Sequence, residues 1–162
     1  MTARVVALVG CGARKLDHRA PAGALYTGSL FVATMRHAVK VAVPGDVWIL
    51  SAKYGLVAPD TEIDPYDVKL SDLSSNERSW WALRVCDDLA RRYGLSRQRQ
   101  TFPKPSGITF QIFAGEAYTS ELAAQMRWGA TNGEYGLVTP LGGLTMGARM
   151  HWLKQAQIGG AP

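Results

Sequence analysis

Side chains that could act together on a substrate follow the ends of the predicted strands. An apolar run at residues 47–50 precedes a polar stretch with the candidate groups Ser51, Lys53, Tyr54, Asp64, Tyr66 and Asp67. Carboxylates beside a lysine and tyrosines suit glycosidic-bond cleavage, because a carboxylate can orient water or stabilise an oxocarbenium-like centre while donors stabilise the leaving base. A tyrosine could also stack on a flipped base. No helix pattern follows this strand for about twenty residues, and so long a connection is usually functional or disordered. The apolar and aromatic residues of this connection favour a functional segment over a disordered one.

Three other predicted strand ends add polar groups and glycines. Ligands of open α/β sheets bind just beyond the carboxyl ends of the strands, which lie at one edge when the strands are parallel. The expected catalytic groups are Lys53, Asp64, Asp67 and Glu116. The expected substrate-binding groups are Cys11, Gly12, Lys15, Tyr26, Ser51, Tyr54, Tyr66, Tyr118, Gly142 and Gly143.

The loop after the first predicted strand permits several interpretations. Gly10 and Gly12 are typical of dinucleotide-binding loops, but the third glycine is missing and no helix follows directly. A loop whose N–H groups face a ligand, with Lys15 supplying positive charge, fits better. Cys11 is a candidate nucleophile, although its position at a strand end favours a buried, inert thiol.

Apolar periodicity and turn residues locate the elements that must position these groups. We predict strands at 5–9, 47–50, 108–113 and 137–138, and helices at 30–43, 74–93, 117–126 and 145–157. The intervening ranges 16–25 and 128–136 are expected to be loops, and Ser29 is expected to cap the first of these helices. The predicted apolar face of the longest helix is Trp80, Leu83, Cys86, Ala90 and Tyr93. Strands alternating with helices predict an α/β fold with a mostly parallel central sheet.

Composition is that of an ordinary globular domain. The 162 residues are 47% hydrophobic and 19% charged, which fits one domain spanning residues 1–162. No apolar run reaches the ~20 residues of a membrane span, and we expect a cytoplasmic protein without a membrane partner. Two cysteines and three scattered histidines lack metal-ligand spacing, so neither a metal nor another cofactor is expected.

The net charge of +5 slightly favours a polyanionic partner, either DNA or a nucleotide. Part of this charge is concentrated around the end of the longest helix, where a phosphate-contacting patch is expected at Arg91, Arg92, Arg97, Arg99 and Lys104. An alternative is that Arg91 and Arg92 complement the helix dipole while the others are solvated.

Five segments resemble the successive motifs of a small bacterial and phage domain that is similar to the YaaA peroxide-stress family. They are CGARK, APAGALYTGSLF, LSAKYGLVAPDTEIDPYD, FAGEAYTSEL and PLGGLTMGARMHWL. The domain also resembles the uracil-DNA-glycosylase-like part of archaeosine synthase. This resemblance, which extends from Val5 to about Leu153, implies a three-layer α/β fold like that of uracil-DNA glycosylases. It also implies chemistry on nucleobases, DNA or modified bases.

Within this resemblance, Asp64-Pro65-Tyr66 looks like the water-activating DPY of the glycosylases, with Asp64 orienting water and Tyr66 near the base. The chain departs from that motif, because Asp67 stands where histidine follows and because the triplet does not come directly after its strand. A second glycosylase motif is also missing, and Pro140–Gly143 would have to replace it. Three functions follow as alternatives: cleavage or exchange at an N-glycosidic bond, non-catalytic DNA binding, or nucleotide binding through glycine loops.

Overall fold

The computed structural model describes residues 3–96 and 103–159. A five-stranded sheet at its centre has the order β4-β3-β1-β6-β7, and β2 and β5 form a separate antiparallel pair. The strands are β1 (Arg4–Gly10), β2 (Ala20–Pro21), β3 (Val47–Ser51), β4 (Gly55–Val57), β5 (Glu62–Ile63), β6 (Ile108–Phe113) and β7 (Gly136–Val138). The helices are α1 (Ala22–Leu25), α2 (Ser29–Val41), α3 (Ser75–Tyr93), α4 (Glu116–Thr131) and α5 (Met146–Gly159), with a 3₁₀ turn at Leu70–Asp72.

The central sheet is parallel except at one edge. β1 pairs in parallel with β3 and β6, and β7 pairs in parallel with β6. β4 returns antiparallel to β3 through a tight turn in which Gly55 has φ +75°, a conformation that favours glycine. The carboxyl ends of β1, β3, β6 and β7 therefore lie along one edge, which confirms the predicted α/β class and mostly parallel sheet.

Helices cover both faces of the sheet. Alternate residues of β1 point to opposite sides, with Val6 and Leu8 in the core that includes α3 and α4. Val9 lies in the second core, which α2 joins through Phe31 and α5 through Trp152. The buried strands appear in the sequence as apolar runs because both faces are covered.

The predicted apolar face of α3 is wrong for two of its residues. Trp80 is 68% exposed and Leu83 is 41% exposed, whereas the buried residues of the helix are Trp81, Ala82, Val85 and Leu89. The apolar residues of α3 fit two helical phases, and contact with the sheet selects one of them. In that phase the Trp81 indole N–H donates to the Ser51 carbonyl at 2.8 Å.

Three predicted loops contain regular structure, and one cap differs. Helix α4 continues to Thr131, beyond the predicted end at 126. A Cβ at position 129 would lie 2.5 Å from the Tyr135 ring, so Gly129 allows that ring to pack against the helix. The range 16–25 contains β2 and α1, and the long connection after β3 contains β4 and β5. Gly28 rather than Ser29 is the N-cap of α2, whereas Ser74 caps α3 in a reciprocal pair with Glu77.

Candidate functional site

A cleft of about 240 Å³ opens at the carboxyl edge of the sheet. Three segments line it: the loop after β1, the connection around the 3₁₀ turn and the start of α4. The lining residues are Cys11, Gly12, Ala13, Lys15, Val68, Lys69, Leu70, Ser71, Gly115, Glu116, Ala117 and Tyr118. Five predicted site residues are thus brought together here: Cys11, Gly12, Lys15, Glu116 and Tyr118.

Cys11 connects two walls of the cleft. Its backbone N–H donates to the Leu50 carbonyl at 3.0 Å, and its Sγ lies 3.1 Å from Tyr118 Oη. Burial raises the pKa of Tyr118 well above the ordinary tyrosine value, and negative charge at Cys11 would raise it further. Cys11 is only half-buried and lines the cleft, whereas its position at a strand end favoured a buried, inert thiol.

Tyr66 is the centre of a hydrogen-bonded cluster beside the cleft. The Ser51 hydroxyl donates to Tyr66 Oη at 2.7 Å and accepts the Tyr54 backbone N–H at 3.0 Å. Tyr26 Oη lies 2.8 Å from Tyr66 Oη. Burial raises the pKa of Tyr66 well above its usual range and that of Tyr26 to about 12. Both phenols therefore stay protonated near neutral pH. The hydrogen bonds from Ser51 and Tyr26 hold the Tyr66 ring in one orientation.

Lys15 places a positive charge between the cleft and this tyrosine cluster. Its Nζ lies 4.5 Å from the centre of the Tyr66 ring and 5.6 Å from that of Tyr26, which is cation–π geometry. Glu116 supplies the negative charge of the cleft from the exposed first turn of α4. Within residues 3–96 and 103–159, neither Lys15 nor Glu116 forms a salt bridge. Both charges are therefore available to a ligand.

The other predicted catalytic residues do not line the cleft. Asp64 is exposed, and its carboxylate lies 3.1 Å from the Arg19 guanidinium. Lys53 is exposed, with its Nζ 5.2 Å from the centre of the Tyr54 ring, and Asp67 is also exposed. Since Tyr54 packs edge-on against Tyr66 at 5.5 Å, Lys53 reaches the tyrosine cluster only from its outer side.

The predicted glycine pair lies elsewhere on the same edge. Gly142 and Gly143 form an exposed turn after β7, in which the Gly142 N–H donates to the Thr139 carbonyl at 2.9 Å and Gly143 has φ +71°. An ideal Cβ on Gly142 would lie 3.1 Å from that carbonyl oxygen. The geometry of the turn therefore explains why both positions are glycine.

Two contributions to this region were missed in the sequence. Residues 68–71 line the cleft through a short 3₁₀ turn that has no apolar periodicity. Arg149 of α5 has its Nη1 3.6 Å from an ideal Cβ position on Gly115, and its buried Nε has no hydrogen-bond partner in the described part of the chain. Its guanidinium thus adds positive charge near the start of α4. Nothing in the local sequence of a helix distinguishes such an arginine.

The predicted basic patch is only partly described. Arg91 forms a salt bridge with Asp88, and the Arg92 guanidinium lies 4.2 Å from the centre of the Trp48 ring. Lys104 is exposed, whereas Arg97 and Arg99 lie outside the described residues. Two of the five basic side chains therefore already have partners on the protein.

No group of three or more metal-ligating side chains occurs in residues 3–96 or 103–159. Over the same residues, no helix is both long and apolar enough to cross a membrane.

The chain belongs to the DUF6884 family, which is described as a family of unknown function, and the family model matches residues 6–155. No match was found among curated proteins, and none was found among solved structures.

Proposed function

We propose that this member of the DUF6884 family binds a nucleobase-containing ligand in the cleft and hydrolyses its N-glycosidic bond. One observation carries the proposal: Lys15 and Glu116, which are far apart in the sequence, line one small cleft at the carboxyl edge of a mostly parallel sheet. Ligands of open α/β sheets bind at this edge. The resemblance to uracil-DNA-glycosylase-like domains supports the same proposal.

The size and lining of the cleft favour a single base over a larger group. Its volume of about 240 Å³ lies just below the range of roughly 300–1,000 Å³ that is usual for small-molecule sites. The Tyr118 phenol lines the cleft and Tyr66 lies beside it under Lys15. Aromatic rings with fixed hydroxyls can stack on a base and bond its edge. The main chain of residues 11–13 adds further polar groups.

The proposed reaction assigns opposite tasks to Lys15 and Glu116. The Glu116 carboxylate accepts a proton from a water molecule whose oxygen bonds to the anomeric carbon. The bond between that carbon and the base nitrogen breaks, its electron pair leaves with the base, and the Lys15 ammonium donates a proton to it. This is general acid–base catalysis with a stabilised leaving group.

Glu116 is preferred to Asp64 and Asp67 on geometry. Asp64 already pairs with Arg19 at 3.1 Å, and neither aspartate lines the cleft, whereas Glu116 does. The likeness of residues 64–66 to the glycosylase motif keeps Asp64 as the second choice. Lys69, which lines the cleft, is the second choice for the cation, and Lys53, on the outer side of Tyr54, is the third.

The test is release of free base from oligonucleotides, nucleosides and nucleotides with unmodified and modified bases. Glu116→Gln should lower turnover by about 10²- to 10⁴-fold, the usual cost of losing a general base, while ligand binding persists. Asp64→Asn and Asp67→Asn are matched controls and should retain most of the activity. Thermal unfolding of each variant verifies its fold.

The alternative outcomes assign the chemistry differently. Loss of turnover in Asp64→Asn but not in Glu116→Gln would assign the general base to Asp64, as the motif resemblance implies. If the wild-type protein releases no base from any substrate, the hydrolytic proposal is rejected. Calorimetry with nucleotides and DNA then tests the two alternatives, nucleotide binding and non-catalytic DNA binding.

A further inference from the structure

The cleft at the carboxyl edge of the sheet carries more positive charge than the proposed hydrolysis uses. Two lysines, Lys15 and Lys69, line it together with one carboxylate, that of Glu116. The hydrolysis assigns Lys15 to the leaving base and Glu116 to the water, which leaves Lys69 without a task. Within residues 3–96 and 103–159, Lys69 forms no salt bridge. Its ammonium is therefore available to an anionic group of the ligand.

Uncharged donors accompany this lysine in the cleft. Four residues of the lining have backbone N–H groups with no acceptor in the described part of the chain: Gly12 and Ala13 after β1, and Glu116 and Ala117 at the start of α4. The Arg149 guanidinium adds positive charge beside the second of these segments, with its Nη1 3.6 Å from an ideal Cβ position on Gly115. Backbone N–H groups combined with cations are typical surroundings of a bound phosphate.

Lys69 lies at the rim of the cleft. Lys69 and Ser71 are both exposed, and they line the cleft from the 3₁₀ turn at Leu70–Asp72. Cys11 and Tyr118, which also line it, are less exposed. The volume of about 240 Å³ suits a group the size of a base. A phosphate joined to that base through a sugar would therefore lie outside the interior, within reach of the rim.

The surface next to this rim is acidic, which separates a small phosphate ester from a nucleic-acid strand. Residues 58–72 contain five carboxylates and a single basic residue, Lys69. All five carboxylates are exposed, and they belong to Asp60, Glu62, Asp64, Asp67 and Asp72. A strand whose base enters the cleft has further phosphates on both sides of that base, and those along this connection would meet like charge. A single nucleotide has no neighbouring phosphates to repel.

We propose that the substrate of the cleft is a mononucleotide, whose phosphate is held at the rim by Lys69 and by the free N–H groups at the start of α4. This inference rests on the proposed function for the part of the site that binds the base. A terminal phosphate carries roughly −1.5 to −2 charge near neutral pH. It is therefore a stronger partner for the lysine than the singly charged phosphodiester of a polymer.

Ribose 5-phosphate and ribose test the phosphate site without a base, using the full-length protein at low ionic strength. Calorimetry should show saturable binding of ribose 5-phosphate, and the melting temperature should rise with its concentration. Ribose should do neither. Absence of wild-type binding at millimolar ribose 5-phosphate would overturn the inference.

Lys69→Met should weaken the binding of ribose 5-phosphate at least ~10-fold, because it removes a hydrogen-bond donor that is charged. The matched control is Lys40→Met, which removes the same charge from an exposed position of α2 that does not line the cleft. Its affinity should stay within about twofold of the wild type, since a distant surface charge is screened. Equal weakening in both variants would indicate attraction to net charge and contradict a site at Lys69.

A second pair of variants adds charge instead of removing it. Ser71→Glu places a carboxylate at the rim beside Lys69 and should abolish the binding of ribose 5-phosphate. Ser75→Glu adds the same charge at an exposed position outside the lining and should retain it. Unchanged affinity in a folded Ser71→Glu protein would place the phosphate elsewhere and reject the inference.

Base release separates this inference from the proposed hydrolysis. The kcat/KM of a 5′-mononucleotide should exceed that of its nucleoside, and that of the same nucleotide within an oligonucleotide, at least ~10-fold, because the phosphate contributes binding energy. Lys69→Met should remove the advantage over the nucleoside. Equal or faster release from nucleosides or oligonucleotides would overturn the inference and leave the hydrolysis standing. Binding of ribose 5-phosphate that depends on Lys69, without release from any substrate, would support the phosphate site and reject the hydrolysis.

Discussion

The Cys11 Sγ atom lies 3.1 Å from the Tyr118 hydroxyl, joining the loop after β1 to the first turn of α4 across the cleft. The second cysteine, Cys86, is also only partly buried, and it packs against the core between the sheet and α3. Burial raises the pKa of Cys86 to about 12. The two thiols of this chain should therefore differ in reactivity.

We predict that iodoacetamide at pH 7.5 labels Cys11 in the native protein and leaves Cys86 unmodified. The thiolate is the reactive form, and a pKa of about 12 leaves almost none at Cys86. Peptide mass spectrometry after labelling identifies the site, and Cys11→Ser should abolish the native-state signal. Preferential labelling of Cys86 would contradict the raised pKa of its thiol. Ligands that occupy the cleft should slow the labelling of Cys11.

The neighbouring residues Trp80 and Trp81 test which face of α3 is buried. Trp81→Ala should lower the free energy of unfolding by about 3–5 kcal/mol, because it empties a core position that is 2% exposed and removes the bond to the Ser51 carbonyl. Trp80→Ala should change it by less than about 0.5 kcal/mol, since that side chain is 68% exposed. Urea denaturation measures both, and equal losses would refute this orientation of the helix.

His37 should make the protein less stable in mild acid. The residue is 5% exposed, and its ring lies 5.2 Å from the ring centre of Phe113 and 5.1 Å from that of Trp152. Burial lowers the pKa of His37 below its usual value, and the positive charge of Lys40 lowers it further. The unfolded chain therefore binds a proton more readily than the folded protein. His37 therefore leaves the free energy of unfolding unchanged above about pH 6.5. That free energy falls as the pH decreases from there towards the lowered pKa of His37 in the folded protein.

Urea unfolding of wild type and His37→Phe at pH 7.5, 6.0 and 5.0 measures this effect. The wild-type free energy of unfolding should fall over this range by more than that of the variant, which has no proton to bind at this position. His151→Gln, at an exposed position of α5, should match the wild type. Parallel curves for wild type and His37→Phe would show that His37 is not the titrating group.

The basic patch predicts a salt-dependent affinity for DNA. If Arg91, Arg92, Arg97, Arg99 and Lys104 contact phosphates, the logarithm of the affinity should fall with that of salt concentration by roughly 0.9 per phosphate neutralised. The double variant Arg97→Ala and Arg99→Ala should flatten this slope. Lys40→Ala and Lys154→Ala together remove the same charge from exposed positions outside the patch. A slope altered equally by both pairs would assign the binding to net charge alone.

Local chemistry in the sequence was enough to place most elements. The buried strands β1, β3 and β6 were predicted as apolar runs, because a parallel strand covered on both faces needs apolar residues throughout. The limits of α3, predicted at 74–93, are set by Ser74 with Glu77 at one end and by Gly94, which has φ +64°, at the other. These signals are local, since each cap or strand depends on its neighbours in the chain.

By itself, then, the sequence determined the α/β class, the polar groups at the strand ends and the lack of a long apolar segment. Only the tertiary structure decided which of those groups share a cleft, because that depends on strand order and on the path of long connections. It brought Lys15 and Glu116 together and placed Asp64 beside Arg19 on the surface.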